Sequence, residues 1–241
     1  MSFSPALAIS TLRAVEVSLN RFVTMQRFFD ICFSGAAIVV CAPLLIPIVI
    51  LLRFTGENEI FYQQLRIGKD KKNFNLLKFA TMLKNSERMG AGTVTLENDS
   101  RVLPLGVFLR KTKINELPQL FNIFKGDMSV IGPRPLHTKQ FSFYSPEQQD
   151  IIASVPPGLS GVGSIIFRDE EKMLRNGDDP DTTYKSKITP RKAQLEIWYV
   201  NNQSLFLYFK LIFLTVVAVT LPQLNMERFF AGLEQKSDGS I

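Results

Sequence analysis

The sequence predicts a helix-dominated α+β protein attached to a membrane. Three observations carry this. Residues 31–52 form a 22-residue run without a single charge, interrupted only by Pro43 and Pro47. Residues 60–64 and 74–79 flank the polar segment Gly68-Lys69-Asp70-Lys71, the pattern of one β-hairpin. Between that hairpin and residue 160, Pro104, Pro118, Pro133, Pro135, Pro156 and Pro157 keep every element short.

At ~1.5 Å per residue the uncharged run extends about 33 Å as a helix, enough for a bilayer core. Each proline lacks an N–H and crowds the carbonyl four residues earlier, here Val39 and Pro43. A helix break is therefore expected at Pro43 and Pro47, leaving halves of roughly 18 Å and 14 Å, neither of which spans alone. Two placements satisfy this. One is a kinked transmembrane helix, since neighbours tolerate proline in such helices. The other enters one leaflet, turns at Pro43 and leaves on the same side. Arg21 and Arg27 precede the run and Arg53 follows it, so the flanks show no inside–outside bias. The run also starts too late for a cleaved signal peptide.

Upstream, residues 5–29 read as an amphipathic helix, with Leu12, Val15, Leu19, Phe22 and Phe29 at near-heptad spacing. Downstream, residues 93–96 read as a short strand, and residues 147–155 and 190–201 as helices, the latter with Pro190 at its start. Residues 204–221 are a second apolar stretch broken only by Lys210, which can snorkel; they form a second span or an interfacial helix.

Composition narrows the function. With 46% hydrophobic and 21% charged residues the chain is globular rather than disordered. Two cysteines exclude a disulfide framework, and one histidine argues against a histidine-based zinc site. The net charge of +6 is uneven: seven Lys/Arg face two acids in residues 62–90, and six face two in residues 110–139. Residues 140–183 reverse this, with three against eight. Basic blocks suit nucleic acid, anionic lipid or a phosphorylated small molecule. They carry no nucleic-acid-binding fingerprint, so no nucleic acid is expected.

The chemistry concentrates in residues 109–135. Arg110 and Arg134 can clamp phosphate oxygens in pairs. Glu116 and Asp127 can hold Mg²⁺, which takes few carboxylates and completes its shell with water and phosphate. The competing reading is a set of ordinary surface ion pairs. His137, just past the Pro133-Arg134-Pro135 loop, is a candidate acid or base, or an incidental loop residue. The local order is not a P-loop, a kinase set, a catalytic triad or a dinucleotide-binding fingerprint.

In order along the chain come Arg27-Phe28-Phe29-Asp30 leading to Pro43, Phe61-Tyr62-Gln63-Gln64-Leu65-Arg66-Ile67-Gly68, and Lys78-Phe79-Ala80-Thr81-Met82. Asn98-Asp99-Ser100-Arg101, Leu109-Arg110-Lys111-Thr112, Glu116-Leu117-Pro118-Gln119-Leu120, Gly126-Asp127-Met128-Ser129 and Gly132-Pro133-Arg134-Pro135 follow. Pro157-Gly158-Leu159-Ser160-Gly161 and Tyr199-Val200-Asn201-Asn202-Gln203-Ser204 complete the series. From about Arg27 to about Thr220 the chain thereby resembles the bacterial sugar transferases that are monotopic phosphoglycosyl transferases.

The resemblance implies a re-entrant membrane helix-break-helix at residues 27–55, behind an N-terminal amphipathic extension at 1–26. It implies a cytoplasmic catalytic domain at 56–203 and an interfacial helix and tail at 204–241, with several interfacial amphipathic helices. The implied reaction moves a hexose-1-phosphate from a UDP-sugar to undecaprenyl phosphate, releasing UMP, on the cytoplasmic face of the bacterial inner membrane. Glu116, Asn115 and Asp127 take the catalytic positions, with Mg²⁺ at Glu116. Lys78, Arg110 and Arg134 bind substrate phosphate, and Pro135, Glu196 and Tyr199 contact nucleotide or sugar. Phospholipid, downstream glycosyltransferases and a second copy of the chain are the implied partners. Two departures stand out. Ala80 replaces a common Arg, and Asn115 occupies the position of the family's nucleophilic Asp. An amide is uncharged and a poor nucleophile beside a carboxylate. A carboxylate substitute such as Glu116 or another nearby carboxylate, direct reaction of the two substrates, an engineered or natural inactive form, and a silent scaffold all remain open at this point.

Overall fold

The computed structural model describes residues 5–86, 89, 99–168 and 180–230, with residues 5–20, 180 and 181 as backbone. The strand expected at 93–96 lies outside the described residues. The first element, α1 (Pro5–Phe54), is one 50-residue helix running through both Pro43 and Pro47. The expected division into two half-helices is therefore not seen in the helix itself.

Packing explains why the prolines do not end it. Phe22, Gln26, Asp30, Ser34, Leu45, Ile48 and Leu52 are all buried. Their spacing puts them on one stripe of α1, which lies against the rest of the protein on both sides of Pro43. Pro43 and Pro47 are exposed. Two residues either way from Leu45, they sit about 160° around the helix from it and at least about 100° from Ile48 and Leu52. The lost hydrogen bonds fall on the outer face, while Leu45, Ile48 and Leu52 resume contact with Phe79 and Leu109 at once. Tertiary burial here overrides local propensity.

Strands β1 (Phe61–Ile67) and β2 (Asn73–Phe79) form the expected antiparallel hairpin, with Phe61 opposite Phe79 and Ile67 opposite Asn73. Asp70 and Lys71 turn it with φ of 54° and 59°. Helices α2 (Pro104–Lys111) and α3 (Gln119–Lys125) follow. Arg27 of α1 donates to the last carbonyls of α3, Ile123 O at 2.5 Å and Phe124 O at 2.6 Å, a cation at a helix C-terminus.

A short parallel pair was not legible in the sequence. It joins β3 (Ser129–Ile131) to β4 (Gly158–Ser160), with Ser129 opposite Gly158 and Ile131 opposite Ser160. Between them lie α4 (Thr138–Phe141) and α5 (Pro146–Ala153), the latter started by a capping box of Ser145 and Gln148. After β4 comes α6 (Val162–Ile166). A π-helical turn, Tyr184–Ile188, then leads into α7 (Thr189–Asn201), and α8 (Leu205–Thr220) follows with Ser204 as its N-cap.

The largest core cluster joins Ile131, Val162, Leu195, Tyr199, Tyr208, Leu211 and Leu214, from β3, α6, α7 and α8. Asp30 ties α1 to this core. Its Oδ1 accepts from Val130 N at 2.9 Å and from Tyr208 Oη at 2.8 Å. Outside the core, large apolar side chains stand uncovered: Val40 at 77% exposure on α1, Phe108 at 55% on α2, Phe124 at 50% on α3 and Phe206 at 79% on α8. Arg21–Phe54 is long and apolar enough to cross a membrane, and only 17% of its most apolar stretch is buried. A soluble core helix would be covered. This fits a membrane-associated helix.

Candidate active site

The hairpin supplies two cations. Tyr62, Gln64 and Arg66 alternate along β1, and the register pairs them with Lys78, Leu76 and Phe74 of β2. Paired residues share a face of a hairpin, so Arg66, Leu76 and Lys78 point the same way. They form one wall of a pocket completed by Glu116, Gln119, Arg134, Pro135, Gly158 and Leu159. Arg66 is held in place: its Nε and Nη2 donate to Gln64 Oε1 at 3.1 Å and 2.5 Å, and Nη1 to Pro135 O at 3.3 Å.

Glu116 enters on a 3₁₀ turn, Ile114–Glu116, which follows Lys113 in the left-handed conformation at φ 59°. Its Oε1 lies 3.9 Å from Lys78 Nζ. Burial opposes its charge, but Lys78, Arg134, Lys113 and Arg110 outweigh this and hold it below the usual carboxylate range. Lys78 is pushed down to about 8, first by burial and then by repulsion from Arg66, Arg134 and Arg110, against the pull of Glu116. Burial and the nearby Arg134 bring Arg66 down to about 10. Among the described residues, three cations surround one carboxylate at the pocket, an arrangement that suits a polyanion.

The other sequence-derived candidates divide. Arg110, in the last turn of α2, does not line the pocket, yet its charge bears on both Glu116 and Lys78. Arg110 and Arg134 thus share one acidic neighbour. Pro135 lines the pocket. Asn115 is buried behind Glu116, and its Oδ1 has no hydrogen-bond partner among the described residues. Asp127 is not brought to the pocket: its Oδ2 lies 3.2 Å from Lys125 Nζ and accepts from Asn122 Nδ2 at 3.3 Å. Tyr199 is core, its hydroxyl donating to Ile131 O at 3.1 Å. Glu196 lies buried beneath the proline loop, accepting from Arg134 N at 3.3 Å; burial pushes it up to about 7, against Lys192 and Arg134. His137 caps α4.

Arg66 is the charged pocket residue that was not singled out from sequence; Leu76, Gln119, Gly158 and Leu159 also line the pocket without having been candidates. The signal for Arg66 was there: on strands of period two, residues 66 and 78 share a face once Tyr62 is paired with Lys78. No group of three or more His, Cys, Asp or Glu side chains that could hold a metal occurs among the described residues. A Mg²⁺ site here would therefore have to draw on Glu116 and on substrate phosphates, which suits that ion's preference for few carboxylates.

A cationic pocket on a domain with an uncovered apolar side is the equipment of a membrane enzyme for phosphorylated substrates. Residues 20–222 match the family model described as bacterial sugar transferase, and the chain belongs to that family. It is a sugar-phosphate transferase by class. It is 31% identical to the exopolysaccharide production protein ExoY of Rhizobium meliloti, covering 82% of this chain and 86% of that one. It is 33% identical to EpsL of Bacillus subtilis, an uncharacterised sugar transferase, covering 83% and 89%. It is also 31% identical to a UDP-glucose:undecaprenyl-phosphate glucose-1-phosphate transferase of Klebsiella pneumoniae, covering 80% of this chain and 40% of that one. The chain thus spans most of the first two relatives and two fifths of the third.

Proposed function

We propose that this protein transfers a hexose-1-phosphate from a UDP-sugar to undecaprenyl phosphate, releasing UMP, as the first membrane step of exopolysaccharide, capsule, O-antigen or glycoprotein glycan assembly. The observation that carries the reading is the grouping of Arg66, Lys78 and Arg134 around Glu116, with Arg110 behind them. Phosphoryl transfer is mainly positioning and charge neutralisation, and this pocket supplies both. The printed activity of the Klebsiella relative supports the substrate pair.

Asn115 cannot form an acyl phosphate. Glu116, the carboxylate that lines the pocket and is held ionised, is the group left for covalent capture. Its oxygen would bond to the β-phosphorus while the bond to the UMP oxygen breaks and UMP leaves with the electron pair. An oxygen of the lipid phosphate would then attack the same phosphorus and restore the carboxylate. Mg²⁺ fits as a companion of the diphosphate, with Glu116 as its protein ligand, and would neutralise phosphate charge.

The acceptor's phosphate sits at headgroup depth, so the pocket must be held there. The buried stripe of α1 touches the same domain before and after Pro43, which supports a re-entrant placement with both ends on the cytoplasmic face of the bacterial inner membrane. In that arrangement residues 56–203 are the catalytic part, and 204–241 an interfacial helix and tail. Labelling a cysteine placed near Ser4 tests this; exposure on the periplasmic side would rule it out.

The activity is tested by incubating purified protein with Mg²⁺, polyprenyl phosphate and a panel of UDP-sugars. UMP release with one sugar is the expected result. Asn115 favours one rival, a silent scaffold that binds ligands or pathway partners. Silence with every sugar, restored by Asn115→Asp, would establish that rival. An intact-mass gain of one sugar phosphate, lost in Glu116→Gln, is expected for the covalent route.

A further inference from the structure

The loop at residues 133–135 has a single backbone N–H, because Pro133 and Pro135 have none. That N–H, on Arg134, donates to Glu196 Oε1 at 3.3 Å. The loop's other ties run through its neighbours. Gly132 N donates to Ser160 O at 2.9 Å, Gly158 N to Pro133 O at 2.8 Å, and Arg66 Nη1 to Pro135 O at 3.3 Å. Glu196 thus ties the loop through the Arg134 backbone.

Glu196 is a costly residue to keep where it is. It is only 2% exposed, and its Oε2 has no hydrogen-bond partner among the described residues. Burying such a group costs free energy unless it is paired, and its partners here are the Arg134 N–H and the nearby Lys192 ammonium. The neighbouring fold is shaped to admit the carboxylate: a Cβ on Gly163 of α6 would stand 2.4 Å from Oε1. Lys192, one turn earlier on α7, is 1% exposed and donates to Tyr184 Oη at 3.2 Å.

We propose that Glu196 is a positioning residue: from beneath the pocket it holds the Arg134 amide and so sets where the Arg134 guanidinium meets the substrate diphosphate. This rests on the transferase reading and extends it. Glu196 does not touch substrate; it acts through Arg134.

The test is binding of inorganic pyrophosphate, followed by calorimetry on the full chain in detergent micelles. Glu196→Leu is expected to weaken binding about tenfold, within the usual range of coupling between contacting residues. Glu196→Gln keeps an acceptor oxygen and is expected to retain binding within about threefold. In an Arg134→Ala background, Glu196→Leu should have no further effect. If Glu196→Leu does not fold, Gly163→Ala serves in its place, since it crowds Oε1 directly. Losses that add in the double variant, unchanged binding in the single one, or no pyrophosphate binding by the parent would each overturn the proposal. Pyrophosphate binding is read with or without turnover, so a chain that binds it but releases no UMP refutes the transferase reading and leaves this one to the cycle.

Discussion

Lys78 should be a residue whose removal strengthens the fold and weakens the site. Its ammonium lies among Arg66, Arg134 and Arg110 with Glu116 as its acidic neighbour among the described residues, and its pKa falls from 10.5 to about 8. In the unfolded chain the amine is protonated up to about 10.5. Between pH 8 and 10.5 the unfolded state therefore binds more protons, and stability rises with pH across that window; below it the full cost is present. A shift of that size corresponds to about 3 kcal/mol of cost at pH 7. Lys78→Met should recover roughly 2–3 kcal/mol, read as a higher melting temperature or denaturant midpoint in detergent. A bound diphosphate favours the ammonium, so pyrophosphate affinity in the parent should fall about tenfold from pH 7 to pH 9 as the amine deprotonates. Lys78→Arg should abolish that dependence, because guanidinium stays charged throughout. A Lys78→Met protein less stable than the parent, or flat parental affinity across pH 7–9, would refute the reasoning.

Three further outcomes follow from particular contacts. Arg66→Ala removes a pocket cation and the tie to Pro135 O, and should raise the UDP-sugar KM by about tenfold or more in the UMP-release assay. Asp30→Ala orphans Val130 N–H and the Tyr208 hydroxyl and should cost about 2–5 kcal/mol by denaturation in detergent, with Tyr208→Phe costing clearly less. Phe213→Asp, at a side chain 65% exposed on α8, should reduce flotation with anionic lipid vesicles while leaving the melting temperature in detergent unchanged.

The elements read most accurately from sequence were those with local causes. The hairpin follows from alternation about a polar turn, α7 begins where Pro190 starts it, and α8 begins at Ser204. Local signals mark element ends because they act within a few residues. The unbroken α1 is the counterexample. Its prolines are strong local breakers, and the helix continues because residues far along the chain, Phe79 and Leu109, reward it. The site shows the same division. Glu116 and Arg134 were marked by their residue types, Lys78 and Pro135 by the family resemblance, and all four do meet in one pocket. Asp127 shared the chemistry but is held by Lys125 and Asn122 outside it.

Sequence by itself determined the chemical inventory: the membrane-seeking run, the cationic segments, the hairpin, and an amide where a nucleophile is expected. Tertiary structure alone decided which charges face one another. It brought Arg66 over to Pro135, buried Glu196 under Arg134, joined β3 to β4, and laid one stripe of α1 against a single domain. The physical reason is range. Propensity, capping and turn chemistry are settled within a turn or two, whereas burial and charge interact across any sequence separation once packing removes the water between them.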